Sequence, residues 1–369
     1  MSKTLSQITQ AGTSIWLDDL SRERLIDNGK SRSLTSLITE ECVVGVTTNP
    51  AIFSSAISHS SLYSDELKAL ASKGFSAEEI ITELTCSDVT KACVLLQDVY
   101  RARDGIDGRV SIEVDPRFAR DTQKTISQAR DLWTKIGRPN LLIKVPATVE
   151  GLPAIQRLVA EGISVNVTII FSIKRYEQVL DAFIKGLEER AGRSLPISDI
   201  HSVASFFISR VDAEIDPRLK SNGSQEALAL LGRAAIANAR LAYQHFEKVL
   251  NSPRWGKLEG LGAHIQRPLW ASTGVKDLSY DPTQYVMELV APLCVNTMPE
   301  QTLNAVRDEG AFKGNSIFGK YVDAAKVISD LARVGIHIEE VADKLEMEGI
   351  EKFIKPWLEL IANVEAASK

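Results

Sequence analysis

A (β/α)8 (TIM) barrel with inserted helices and extra helices at its C-terminal end is the fold class this sequence predicts, as one domain over residues 1–369. Three observations predict it. Eight short apolar segments rich in β-branched residues recur along the chain. Helical stretches separate them, which implies parallel strands joined by crossovers. Polar residues fall at one parity toward the C-terminal ends of six of the strands, the end where barrels of this kind build their sites.

The eight candidate strands are SIWLDD (14–19), VVGVTT (43–48), RVSIEV (109–114), LLIKV (141–145), VNVTII (165–170), SVASFFI (202–208), RPLWAS (267–272) and APLCVNT (291–297). Turn signals precede several of them: Asp104–Gly105 and Asp107–Gly108 the third, Gly137 to Asn140 the fourth, and Leu195–Pro196 the sixth. The spacers after the second and sixth strands are far longer than an ordinary connection and predict inserted helices. SNGS at 221–224 reads as a surface turn inside the second insertion. Beyond the eighth strand, VDAAKVISDLARVGI and EGIEKFIKPWLELIANVEAAS repeat apolar residues at helical spacing and predict two terminal helices packed on the barrel.

Composition narrows the function classes. A content of 44% hydrophobic and 25% charged residues excludes disordered and fibrous classes. A net charge of -5 gives no general attraction to nucleic acid or to an acidic membrane surface, so small molecules are the expected partners. MSKTLSQITQ lacks the apolar stretch of a signal peptide, and no run is apolar and long enough to span a bilayer, so the cytoplasm is the expected location. Cys42, Cys86, Cys93 and Cys294 form no CxxC pair and the histidines show no ligand spacing, so neither disulfide nor metal is expected. Cys93 falls on one apolar helix face with Val89, Leu96 and Tyr100 and reads as core. Gly260–Leu261–Gly262 lacks the third glycine and the preceding strand of a dinucleotide site. His201 and His337 read as loop residues and Trp357 as packing.

Alternation along each strand assigns the interior. Lys144 shares a face with Leu142, Glu113 with Ser111, Asp18 with Trp16, Asn49 with Thr47, Thr168 with Asn166, and Phe207 with Ser205. Burying an unpaired lysine or carboxylate costs several kcal/mol, so a fold does not place Lys144, Glu113 and Asp18 inside without compensation or use. A purely structural ion pair accounts for the lysine with one carboxylate but leaves the amide and hydroxyl groups unexplained. The chemistry that fits is amine catalysis on a carbonyl. A desolvated amine loses its proton more readily and adds to a carbonyl, giving an imine that acts as an electron sink. Carbinolamine dehydration and carbon–carbon cleavage then need two separate proton carriers, which two carboxylates supply.

GVTTNPAIF (45–53), VSIEVDPRFARDT (110–122), LLIKVPAT (141–148), GISVNVTIIFS (162–172) and SFFISRVD (205–212), followed by WASTGVKD (270–277) and VNTMPEQTL (295–303), resemble the transaldolases, in the right order and over all eight strands. The WLDDLSR opening and the length are similar to the longer bacterial-type branch. The resemblance implies a class I aldolase-type transferase of carbohydrate metabolism without a cofactor. It moves a dihydroxyacetone unit from sedoheptulose 7-phosphate to glyceraldehyde 3-phosphate in the non-oxidative pentose phosphate pathway, giving erythrose 4-phosphate and fructose 6-phosphate.

Carried over position by position, the resemblance makes Lys144 the Schiff-base lysine and Asp18 the base on the C4 hydroxyl. Glu113 becomes the acid/base acting through a water held with Thr168. Asn49 and Asn166 are implied to bind substrate hydroxyls, Ser205 and Arg210 to hold the phosphate with Ser272 nearby, and Thr48 to assist. Phe207 offers water no hydrogen bond beside the imine. The shorter branch has a second phosphate-binding arginine where this chain reads ASTGVKD, and Lys276 is the expected substitute. The alternative is a fructose 6-phosphate aldolase of the same superfamily, whose members carry Gln and Tyr at the positions of Glu113 and Phe207. A monomer or a homodimer is compatible with the sequence.

Overall fold

Eight parallel strands close on themselves in the computed structural model, which describes residues 2–26 and 32–368. They are β1 (Thr13–Leu17), β2 (Val43–Val46), β3 (Arg109–Glu113), β4 (Leu141–Pro146), β5 (Val165–Ile170), β6 (Ser202–Phe207), β7 (Arg267–Ala271) and β8 (Cys294–Met298). Neighbours in sequence are neighbours in the barrel, and β8 pairs in parallel with β1 to close it. Near-continuous apolar strands suit this arrangement, because each has the barrel interior on one side and helices on the other.

The predicted strands sit where expected; β1 and β2 each end two residues early, and the largest shift is at the start of β8. β8 starts at Cys294 rather than near 291. Pro292 has no amide to give a ladder, and Leu293 takes a positive φ of 56°. Ala291 instead exchanges two hydrogen bonds with the Thr13 side chain, donating to Oγ1 at 3.0 Å and accepting from it at 2.8 Å.

Outer helices begin and end by ordinary capping chemistry. Ser76 and Glu79 form a reciprocal capping box on Ala77–Leu95, and Asp121 and Ser172 cap Thr122–Ile136 and Ile173–Gly192. The two long spacers hold the inserted helices, Pro50–His59 through Gln97–Ala102 and Ser209–Asn222 through Pro253–Glu259. The expected turn at 221–224 is a left-handed Gly223 followed by Ser224 capping the next helix. Cys93 is fully buried.

The terminal helices differ from expectation in extent. Tyr321–Arg333 matches, but the last helix runs from Ile338 to Ala367, beginning ten residues before the expected start. Val341, Leu345, Gly349 and Phe353 explain the extension: they recur every four residues, are all buried, and form one stripe that binds the added turns to the body of the protein. The helix packs against the helix after β2, the helix after β6 and β5 itself, which carries it over the C-terminal mouth of the barrel.

The floor of the barrel is polar, which strand parity near the opposite ends did not anticipate. Asp107 accepts from Arg267 at 2.9 Å and from Ser14 at 2.8 Å, and Arg267 also donates to Ser14. β1 and β7 are not neighbours, so the Ser14–Arg267 bond crosses the interior. Trp16 fills the space above, its indole donating to Asp107 at 3.2 Å. Its ring lies where a Cβ on Gly45 would be 2.5 Å away, so only glycine fits at that position of β2.

Candidate active site

Lys144 lies near the C-terminal end of β4, its side chain 5% exposed, with its amine 3.5 Å from the Glu113 carboxylate and donating to the Thr48 carbonyl at 3.0 Å. Glu113 ends β3 directly beside Lys144 in the strand register. These contacts span the interior from β4 to the loop after β2. Deeper in, Asn166 donates to Ser111 Oγ at 3.0 Å and accepts from Ser205 Oγ at 2.7 Å, tying β3, β5 and β6 together; Thr48 donates to the Ser111 carbonyl at 2.8 Å. The expected face assignment therefore holds for Lys144, Glu113, Asn166 and Ser205, while Thr48, at the other parity from Thr47 and Asn49, reaches the neighbouring strand's Ser111 carbonyl.

Asp18 follows β1 on the same side as the buried Trp16, and its Oδ1 accepts from Thr47 Oγ1 at 2.7 Å. Asp19 lines the same entry cleft as Asp18 but is tied by an ion pair to Arg24 at 2.8 Å. Their partners thus separate the two adjacent aspartates.

Burial pushes the Glu113 carboxyl up to about 7, against the pull of Lys144. Burial also raises Asp18 above the ordinary carboxylate range, with Lys144 and the Thr47 hydrogen bond acting in the opposite direction. Neither Glu113 oxygen has a protein hydrogen-bond partner, and neither has Thr168 Oγ1, which is fully buried. Immediately after Thr168, Ile169 has φ 58°, an unusual conformation for a β-branched residue, where the β5–β6 register shifts.

Arg210, in the first turn of Ser209–Asn222, carries a guanidinium with no carboxylate in salt-bridge contact among the described residues, and its buried Nη1 is unpartnered. It lies 5.2 Å from the Phe207 ring centre and 5.9 Å from that of Phe353. Burial holds its pKa below the usual arginine value, opposed by Glu348, Asp18 and Glu113. Phe353 comes down from the last helix and also sits 5.7 Å from the Lys144 amine, so one aromatic ring lies over both side chains. Phe207 is held edge-on against Phe171 at 5.2 Å.

Three of the expected residues occupy different positions from the rest. Asn49 caps Pro50–His59, its Oδ1 accepting from Ile52 at 3.0 Å, which leaves only its amide NH2 for a ligand. With Asp18 and Ser55 it lines an entry cleft of about 500 Å³. A larger groove of about 710 Å³ lies outside the barrel by His59 and Lys68 and carries none of this chemistry. Ser272, at φ 55° after β7, shares a 3.0 Å hydrogen bond with Ser209 beside Arg210. Lys276 is exposed on the loop that follows; partial desolvation of its amine and the Arg210 charge lower its pKa.

The sequence reading missed Phe353 and Ser209. The first signalled itself only as one apolar position in a helical repeat, the second only by preceding Arg210. His201 is in a loop, directly before β6, but is buried beneath the barrel and stacked on His264 at 4.2 Å. His337 precedes the last helix and is exposed. Among the described residues no group of His, Cys, Asp and Glu is arranged to hold a metal ion, and no helix is long and apolar enough to cross a membrane.

Residues 15–364 match the family model described as transaldolase/fructose-6-phosphate aldolase. Relatives named transaldolase include one from Mycolicibacterium smegmatis, 53% identical across 99% of this chain and 98% of the relative. Others are from Thermobifida fusca, 52% identical over 99% and 98%, and Acidothermus cellulolyticus, 54% identical over 99% and 96%. A closed eight-stranded barrel with a lysine, two carboxylates and an unpaired arginine at its mouth is thus joined by likeness over nearly the whole chain, and the chain belongs to the transaldolase/fructose-6-phosphate aldolase family.

Proposed function

We propose that the chain is a Schiff-base transaldolase that carries a dihydroxyacetone unit from sedoheptulose 7-phosphate to glyceraldehyde 3-phosphate, releasing erythrose 4-phosphate and forming fructose 6-phosphate. The observation that carries the proposal is the Lys144 amine 3.5 Å from a carboxyl poised near neutrality, under an apolar roof. Full-length relatives named transaldolase support transfer over simple lytic release.

Lys144 adds to the donor ketone, and Glu113 delivers the proton that lets the carbinolamine hydroxyl leave as water; its unpartnered oxygens and the Thr168 hydroxyl suit a relay water. Asp18 takes the C4 hydroxyl proton as the C3–C4 bond breaks, and the electron pair is held by the protonated imine. The acceptor aldehyde then reverses these steps. Arg210 binds the phosphate as a charge-assisted partner, with Lys276 as a mobile second charge. Ser205 donates to Asn166, which supports grouping it with Asn166 and the Asn49 amide in holding hydroxyls. The enzyme works in the cytoplasm on diffusible sugar phosphates, as a single barrel domain, alone or as a homodimer.

Borohydride reduction in the presence of fructose 6-phosphate tests the reading. The intact mass rises by one reduced three-carbon unit and peptide mapping places it on Lys144. An adduct on another lysine, or substantial turnover by Lys144→Ala, overturns the assignment.

A further inference from the structure

At the end of the barrel opposite Lys144, a cavity of about 190 Å³ is lined by Arg109, Arg267, His201, His264, Trp255 and Glu259, among others. Arg109 and Arg267 are the first residues of β3 and β7 and are 1% and 7% exposed. Arg267 is neutralised by Asp107 at 2.9 Å. Arg109 has no such partner: its Nε donates to the Gly105 carbonyl at 2.6 Å and its guanidinium sits 5.3 Å from the Tyr100 ring centre. No carboxylate lies in salt-bridge contact with it among the described residues.

Asp107 acts on Arg109 only at a distance and is already paired with Arg267, and a guanidinium this deeply buried without a counter-charge in contact is costly. Two donors on the wall are moreover unspent, the Arg109 Nη2 and the Trp255 indole N–H, and Trp255 is 1% exposed. The acid lining the cavity, Glu259, is solvent-exposed, and burial beside Arg109 keeps the His201 ring neutral.

We propose that this cavity is a second oxyanion site that takes inorganic phosphate, with Arg109 as its charged ligand and the Trp255 N–H as a neutral one. An ion of that class supplies the missing negative charge, accepts both unspent hydrogen bonds and fits the volume. The site is independent of the catalytic mouth. Arg109 and Glu113 stand at opposite ends of β3, about 13 Å apart at the usual rise per residue.

Calorimetric titration of inorganic phosphate into the full-length protein, against chloride at matched ionic strength, tests it. The wild-type chain binds phosphate at the mouth and at the floor, and Arg210→Ala retains the floor site. In the Arg210→Ala background, Trp255→Phe, which keeps an aromatic ring, weakens the remaining affinity roughly 3- to 10-fold, and Arg109→Met weakens it more than about 10-fold. If Arg109→Met does not fold, Trp255→Phe decides. Absence of phosphate binding in Arg210→Ala, or affinity there that Trp255→Phe leaves unchanged, overturns the proposal. A failed assignment of Arg210 leaves the test intact, because the Trp255→Phe response is then read in the wild-type background.

Discussion

Replacing Glu113 by Gln removes the carboxyl that burial holds at about 7 while keeping its volume. On the proposed mechanism Glu113, 3.5 Å from Lys144, must be ionised to take a proton from the amine before it returns one to the carbinolamine. The productive form is therefore lost as pH falls through about 7. At pH 6 roughly a tenth of the plateau kcat/KM remains, whereas a carboxyl at its ordinary value would keep nearly all of it.

The same group carries a stability signature. Its folded pKa is raised from 4.5, so its favourable contribution is complete below about 4.5 and is lost as pH rises through about 7. Across that window the wild type loses stability relative to Glu113→Gln. The assay is kcat/KM for fructose 6-phosphate with erythrose 4-phosphate as acceptor, with melting temperatures taken over the same pH series. Glu113→Gln should lose roughly 10²- to 10⁴-fold in rate and lose the acid limb. If a limb near 7 persists in the variant, it belongs to another group, Asp18 foremost, and the assignment of the proton relay to Glu113 fails.

Two further outcomes follow from the mouth. Arg210→Ala should weaken phosphorylated substrates at least about 10-fold more than unphosphorylated analogues, since a charge-assisted contact is roughly twice a neutral one; equal losses on fructose and fructose 6-phosphate would instead mark Arg210 as a folding residue. Phe353→Ala should lower stability by about 3 kcal/mol or more and raise free dihydroxyacetone release relative to transfer several-fold, because the ring shields the imine from water; an unchanged ratio in a folded variant would remove Phe353 from the site.

Much of this site was legible because strand alternation is a local rule. Once LLIKV and VSIEV are strands, Lys144 and Glu113 must share the inner side, and the Asp18 and Asp19 environments must differ. What stayed hidden depends on distant parts of the chain meeting. Nothing near Phe353 tells that its helix crosses the mouth, because an apolar position at helical spacing is equally a core position. The Asp107–Arg267 pair joins a turn before β3 to the start of β7, and its members read separately as a turn residue and a strand-edge charge. Asn49 reads as polar and inward, yet the Pro50 that follows it also marks it as a helix cap, a signal local to the sequence. The left-handed Ile169 has no sequence signal at all, since propensity argues against a β-branched residue there.

The roof has a consequence for biosynthesis. About 55 residues separate the end of β8 from Phe353. At roughly 5–20 residues per second, a ribosome delivers the whole barrel sequence on the order of 3–10 s before the ring that covers Lys144. On the proposed mechanism, a nascent barrel that closes in that interval presents Lys144 to small aldehydes and ketones without the ring that lies over it in the finished chain. The last helix to leave the ribosome is therefore the one that, on that mechanism, covers the reacting amine.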